Sequence, residues 1–184
     1  MTELRVRVAG SGGQGIAVAA LLFADAAVRA GLHATHSQAY GPESRGGASK
    51  ADVIVSQAPI AFPIAARIDV LVALTRAAVE RYRGDLEPDG LLLVDRDAAT
   101  IPDGAARVVP LVAEARRVLG AALGANLVAL GALVAATDAV PLAAVEEAIR
   151  AHPPGGDLER ALRALRAGLA LTPVAVAGEE VRAG

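Results

Sequence analysis

The chain opens on an alternation in which Leu4, Val6 and Val8 are apolar and Arg5 and Arg7 basic, running through Ala9 into Gly10. That is the pattern of a strand that ends in a glycine turn. From Gln14 to Ala30 apolar residues recur in helical register, and Gly31 stands where a helix-ending glycine belongs. His33 to Ala39 reads as a second strand, Ala51 to Ser56 as a third, Asp69 to Leu74 as a fourth and Gly90 to Asp95 as a fifth. The fourth and fifth are unbroken apolar runs, as expected for strands covered on both faces of a parallel sheet. Thr75 to Tyr82 supplies the crossover helix between them, and Ala106 to Val109 reads as a short sixth strand.

Beyond Pro110 the pattern becomes helical, with breakers between the segments: Leu111 to Leu119, Asn126 to Ala136, Pro141 to Ala151 and Asp157 to Ala170. Pro141 suits a first helical position, and Pro153-Pro154-Gly155-Gly156 reads as a loop. The predicted architecture is α/β: a Rossmann-like, doubly wound, mostly parallel sheet with a helical C-terminal third. It is expected to be a single domain over residues 1–184, with a Rossmann-like core at 1–110 and a helical part at 111–184. No internal repeat or low-complexity linker divides it.

Composition narrows the chemistry. The chain has no cysteine, which excludes disulfides, thiolate zinc sites, a cysteine nucleophile and thiolate ligation of an iron–sulfur cluster. Net charge is -2 with both signs interspersed, and aromatics are 2% of residues, so neither the cationic field nor the stacking platform of a nucleic-acid binder is present. Met1 to Arg5 lacks the basic-then-apolar start of a signal peptide, and the apolar stretch Ala121 to Ala136 is interrupted by Asn126 and falls short of the roughly 20 residues a membrane span needs. A soluble, cytoplasmic protein is expected. An apolar fraction of 54% supplies a helix-rich core and leaves apolar surface for partner chains.

Two motifs carry candidate chemistry. Gly10-Ser11-Gly12-Gly13-Gln14-Gly15 satisfies G-x-G-x-x-G between a strand and a helix, where backbone amides can hold an anion. A dinucleotide site also wants an acidic residue about 20 positions on. That zone is Thr35-His36-Ser37-Gln38, without a carboxylate, so a tight turn facing a partner or another ligand is favoured over a dinucleotide site. The second motif is Tyr40-Gly41-Pro42-Glu43-Ser44-Arg45-Gly46-Gly47. Its three glycines and proline forbid regular structure and let backbone approach a neighbour closely, while Arg45 offers a planar donor fork for phosphate or carboxylate. The residues alone leave this loop open between that role and an ordinary surface turn with Glu43 and Arg45 solvated. No metal site is expected from His33, His36 and His152, since His33 and His36 project to opposite faces of their strand. No serine lies in a nucleophile elbow.

Taken together, Ala9-Gly10-Ser11-Gly12-Gly13-Gln14-Gly15, Ser37-Gln38-Ala39 running into Tyr40 to Gly47, Asp52 to Ser56, Asp69 to Leu74, Gly90 to Asp95 and Asn126 to Leu133 resemble the gamma subunit family of pyruvate, 2-oxoglutarate, ketoisovalerate and indolepyruvate ferredoxin oxidoreductases. One departure lies at Ala161-Leu162-Arg163-Ala164-Leu165 before Gly168, where the family pattern carries an asparagine and an aromatic.

The resemblance implies a Rossmann-like subunit with no catalytic residue and no metal or cofactor of its own. Thiamine diphosphate, magnesium and iron–sulfur clusters would sit on alpha-type, beta-type and ferredoxin-like partner subunits. The assembled enzyme would use coenzyme A to convert a 2-oxoacid to acyl-CoA and carbon dioxide, and would pass electrons to ferredoxin. The turn of Gly10, Gly12, Gly13, Gln14 and Gly15 and the loop Tyr40 to Gly47 would then face ligand or partner, with Arg45 engaging an anionic group and Glu43 orienting it. The alternatives are a free-standing nucleotide-binding module and a purely structural subunit.

Overall fold

The computed structural model describes residues 3–39, 48–99, 106–171 and 174–175. Seven strands form one sheet: β1 (Glu3–Ser11), β2 (His33–Ala39), β3 (Ala48–Ser56), β4 (Ile68–Ala73), β5 (Leu86–Asp95), β6 (Ala106–Val109) and β7 (Val174–Ala175). Their spatial order is β2-β3-β1-β4-β5-β6-β7. The pairs β1/β4, β4/β5 and β5/β6 are parallel, whereas β2/β3, β3/β1 and β6/β7 are antiparallel. Five strands therefore share a direction, as the sequence suggests, but β3 runs against them between β1 and β2. That inversion follows from the short connection of residues 40–47, because parallel neighbours need a crossover of a dozen residues or more.

Among the described residues there are six α-helices: α1 (Ile16–Arg29), α2 (Arg76–Tyr82), α3 (Leu111–Leu119), α4 (Ala125–Thr137), α5 (Leu142–Ala151) and α6 (Leu158–Leu169). Helices lie on both faces, but unequally. One face carries α1 and α3 to α6, packed on Val6, Val8, Val53, Val55, Val70 and Val72; the other carries α2, packed on Ile54, Ile68, Leu71, Leu92 and Val94. Strand alternation sends successive residues to the two layers, so every central strand must be apolar almost throughout.

Local signals place the helix ends. Gly31, at φ 79°, donates to Val28 O while Leu32 donates to Ala27 O, the paired bonds that close α1. Thr75 Oγ1 accepts from Ala78 N at the start of α2, and Asp157 Oδ1 accepts from Arg160 N at the start of α6. Pro141 lies one place earlier than expected, as the N-cap of α5 with ψ 136°, outside the helix. The two-residue β7 has no strand signal in the sequence and is added at the β6 edge.

The helical layer closes on a tight crossing. Gly131 of α4 and Gly168 of α6 meet so closely that a methyl group on Gly168 would fall on the carbonyl oxygen of Val128, and one on Gly131 on that of Leu165. Apart from Asn126, α4 is apolar from Ala125 to Val134, and every residue of that stretch is buried.

Candidate functional site

The glycine turn is built from the end of β1. Gly10 is still within the strand, where a side chain would collide with Gln14 Oε1 and Ile16 Cδ1. Gln14 folds back so that its Oε1 accepts from Ser11 N at 2.7 Å, closing the turn, and Gly15 caps α1 with φ 71°, a conformation that disfavours side chains. Asn126, at the first turn of α4, donates from Nδ2 to Gly15 O at 3.1 Å. A Cβ on Gly15 would press against that amide. Asn126 is thus the polar residue that fastens the turn to the helical layer. The signal for it in the sequence is its position as the lone polar residue of an apolar run.

A 280 Å³ cleft opens beside this turn, lined by Gly12, Gly13, Gly15, Gln38, Ser49 and Lys50 among others. Gly12 and Gly13 have open space where a Cβ would be. Ser49 and Lys50 reach the cleft because β3 starts where β1 ends: Gly10 pairs with Ser49 and Ala9 with Lys50. The turn therefore offers α1 backbone amides on one side and Ser49 on the other, an opening suited to an anion, while the Lys50 ammonium turns to the opposite face of the sheet, toward Asp52 and Tyr82. Sequence reasoning missed Ser49 and Lys50, because their approach depends on the inverted strand.

Gly10, Gly12, Gly13, Gln14 and Gly15 are brought together as the motif implies. Tyr40, Gly41, Pro42, Glu43, Ser44, Arg45, Gly46 and Gly47 lie outside the described residues; their neighbours in sequence, Ala39 and Ala48, end β2 and begin β3.

The topology also bears on dinucleotides. In a dinucleotide fold the ribose carboxylate stands at the end of the strand beside β1. Here that place is taken by the start of β3, Ala48 to Lys50, which carries no carboxylate.

Below the cleft, on the α2 side of the sheet, lies a buried charge network. Arg7 is 1% exposed, and its guanidinium forks onto Asp52 at 2.6 and 2.9 Å, reaches Asp85, and donates to Ala65 O at 3.0 Å. Lys50 Nζ joins Asp52 at 3.0 Å. Burial opposes the charge on Arg7, but its hydrogen bonds and attraction to Asp52 and Asp85 outweigh that and raise its pKa above the ordinary arginine range. A second buried carboxylate, Asp95 at the end of β5, accepts from Val112 N at 2.8 Å and Asp97 N at 3.0 Å. Desolvation raises its pKa, partly offset by those amides, and its role is to tie β5 to α3.

His36 stands three residues from His33 on β2. It faces away from His33, and its Nε2 is buried with no hydrogen-bond partner among the described residues. Burial lowers its pKa below the usual 6.5, opposed by Asp52. Among the described residues no three His, Asp or Glu side chains converge on a metal position, and no helix is long and apolar enough to cross a membrane.

A larger, apolar cleft of 430 Å³ lies on the other side of Gly15, between Val18, Leu119, Leu123, Leu127 and the start of α6. Gly15 and Val18 line both clefts.

With this geometry in view, likeness to known proteins identifies the family. Residues 5–171 match the model for pyruvate ferredoxin/flavodoxin oxidoreductase. A 2-oxoglutarate synthase subunit KorC of Methanothermobacter thermautotrophicus is 41% identical over 180 residues, covering 91% of this chain and 95% of that one. The crystal structure of a keto/oxoacid ferredoxin oxidoreductase gamma subunit from Geobacter sulfurreducens superposes with a TM-score of 0.81 at 37% identity, over 91% of this chain and 95% of that one. A 2-oxoglutarate:ferredoxin oxidoreductase from Magnetococcus marinus, solved with 2-oxoglutarate, coenzyme A and succinyl-CoA bound, gives 0.81 at 26% identity, over 92% of this chain and 31% of that longer one. The chain belongs to the pyruvate ferredoxin/flavodoxin oxidoreductase family, as a gamma-type subunit of a multi-subunit oxidoreductase that acts on 2-oxoacids.

Proposed function

We propose that the whole chain, residues 1–184, acts as one gamma-type domain in the cytoplasm, and that its glycine-turn cleft receives part of the coenzyme A used by the assembled enzyme. Alpha- and beta-type subunits would hold thiamine diphosphate and magnesium, and a ferredoxin-like subunit the iron–sulfur clusters that deliver electrons to ferredoxin. In the overall reaction the bond between the carboxylate and carbonyl carbons of the 2-oxoacid breaks and carbon dioxide leaves. A carbon–sulfur bond to coenzyme A forms, two electrons pass to ferredoxin, and one proton is released. Thiamine diphosphate would supply the carbanion chemistry, and this chain would bind and orient the acyl acceptor.

The observation that carries the reading is the open space at Gly12 and Gly13, where the start of α1 and Ser49 wall a cleft at the end of β1. At 280 Å³ the cleft takes a portion of a coenzyme, such as its diphosphate, rather than the whole molecule. The bound coenzyme A of the Magnetococcus relative supports the ligand class. The loop Tyr40 to Gly47 joins the two strands whose ends wall this cleft, so Arg45 and Glu43 are assigned to the ligand or to the facing subunit.

The test is steady-state kinetics of the enzyme reconstituted with its partner subunits, with 2-oxoglutarate as the first substrate tried. Ser49→Ala should raise the KM for coenzyme A by roughly fivefold, near the ~1 kcal/mol that one hydrogen bond contributes. Arg45→Ala should leave the unfolding free energy of the lone chain within about 0.5 kcal/mol of wild type yet lower subunit affinity or turnover roughly 30-fold. Unchanged coenzyme A kinetics in the first variant would remove the cleft assignment, and unchanged assembly and turnover in the second would remove that of the loop.

A further inference from the structure

The apolar cleft of 430 Å³ adjoins the glycine turn and has the size of a small-molecule site. Val18 of α1, Leu119 of α3, Leu127 of α4 and Leu123 in the link before α4 line it. Leu123 is 68% exposed and Val18 38%, so two large apolar side chains of its lining stand open to solvent. Arg160, in the first turn of α6, lines the same cleft, and among the described residues its guanidinium has no hydrogen bond or ion pair. The nearby Asp157 instead caps the Arg160 backbone N–H through Oδ1. Asn126 is 6% exposed, and its Nδ2 is bound to Gly15 O. Its Oδ1 accepts nothing among the described residues.

Apolar walls, an unpaired amide oxygen and an unpaired guanidinium together fit a ligand with a flat apolar body, an N–H donor and an anionic group. A purine nucleotide carries all three. The start of α1 stands between this cleft and the one at the glycine turn, because Gly15 and Val18 line both. A ligand whose diphosphate lies at the turn can therefore cross the helix start into the apolar cleft. Coenzyme A has two ends that could do so. Its thiol end is uncharged and must reach the partner subunits, toward which the link 40–47 at the first cleft is assigned. The adenine and 3′-phosphate lie at the opposite end, and that end falls to the apolar cleft.

We propose that the apolar cleft is the nucleotide end of the coenzyme site: Val18, Leu119, Leu123 and Leu127 take the adenine, Asn126 Oδ1 accepts from its amine, and Arg160 takes the 3′-phosphate. This rests on the coenzyme A reading of the glycine turn, so the test separates the two. Leu123 is exposed and the Arg160 guanidinium unpaired, so substitutions at either leave the core intact.

In the reconstituted enzyme, Arg160→Ala should raise the KM for coenzyme A about tenfold, the scale of one charge-assisted contact. Its KM for 3′-dephospho-coenzyme A should stay within about twofold of wild type, because that cosubstrate lacks the group Arg160 holds; the two comparisons close a cycle that isolates one contact. Leu123→Ser should raise both values alike, by about fivefold, through lost apolar contact. In both variants kcat and the KM for the 2-oxoacid should move by less than about twofold, since uniform binding is what is lost. Equal rises for the two cosubstrates in Arg160→Ala, or no rise for coenzyme A, would overturn the proposal. A readout without turnover is NMR of the full chain titrated with adenosine 3′,5′-bisphosphate: the methyl signals of Val18, Leu119, Leu123 and Leu127 should shift. Shifts confined to other residues, or none, would also overturn it. If Ser49→Ala raises the coenzyme A KM and Arg160→Ala does not, the nucleotide assignment falls and the glycine turn stands; if neither does, both fall.

Discussion

Glycine serves two opposite purposes in this protein, and the contrast separates the part that binds from the part that holds. At the end of β1, Gly12 and Gly13 face empty space, and a methyl group there would meet nothing of the chain itself. At the crossing of α4 and α6, Gly131 and Gly168 are pressed backbone to backbone, and a methyl group would strike a carbonyl oxygen. The first pair keeps room for something else; the second uses up all the room there is. Gly15 stands between the two cases, with a left-handed backbone and Asn126 directly against it. A G-x-G-x-x-G pattern read as one object hides this division, because its members answer to different neighbours.

Substituting alanine at each place measures the contrast. Gly168→Ala should have the largest effect, because two helices must separate to admit the methyl group: about 3 kcal/mol of stability, the upper end of overpacking costs. Chemical denaturation of the chain measures this, and a loss under about 1 kcal/mol would mean that the crossing yields easily. Gly15→Ala combines a positive φ with the loss of space for Asn126, and should cost about 1–2 kcal/mol in the same experiment. The double variant Gly15→Ala with Asn126→Ala should recover part of that loss if the Asn126 contact contributes, and none if backbone strain is the whole cost. Gly12→Ala should leave stability within about 0.5 kcal/mol of wild type. Its effect should appear in the assembled enzyme, as a coenzyme A KM raised about tenfold, the lower end of what one added methyl group does in a fitted pocket. A Gly12→Ala variant with normal coenzyme A kinetics would show that the open space is not used.

The sequence made the elements legible where their signals are local. The run from Leu4 to Ala9, the helical register from Gln14 and the closing Gly31 give β1 and α1 within two residues, and Leu111 to Leu119 is recovered as expected. Less local features were not legible. Nothing in Ala51 to Ser56 says that the strand runs backwards, since an apolar run buried on both faces looks the same in either direction. The length of the link before it was the usable clue. Arg7 illustrates the same limit for the site. Alternation with Val6 and Val8 marks it as a polar position on one face, but its burial depends on Asp52, Asp85 and Tyr82, residues 45 to 78 positions away. Ser49 entered the cleft through the same inversion. The likeness to oxoacid oxidoreductase gamma subunits was readable because the glycine turn and the following loop combine at one spacing, and it was borne out over residues 5–171.

The facing of Arg7 and Asp52 across β1 and β3 has a further consequence, for the fidelity of folding. A sheet of Val and Ala side chains on both faces gives little reason to prefer one alignment of neighbouring strands over the next, and a slip by one residue turns every side chain of the slipped strand to the opposite layer. Here such a slip would carry the Asp52 carboxylate into the layer of Phe23 and Val6 and deprive Arg7 of its two bonds to that group. The stranded carboxylate would cost several kcal/mol. The ion pair therefore acts as an alignment key: one position of β3 beside β1 satisfies both charged groups, and the slipped alignments do not.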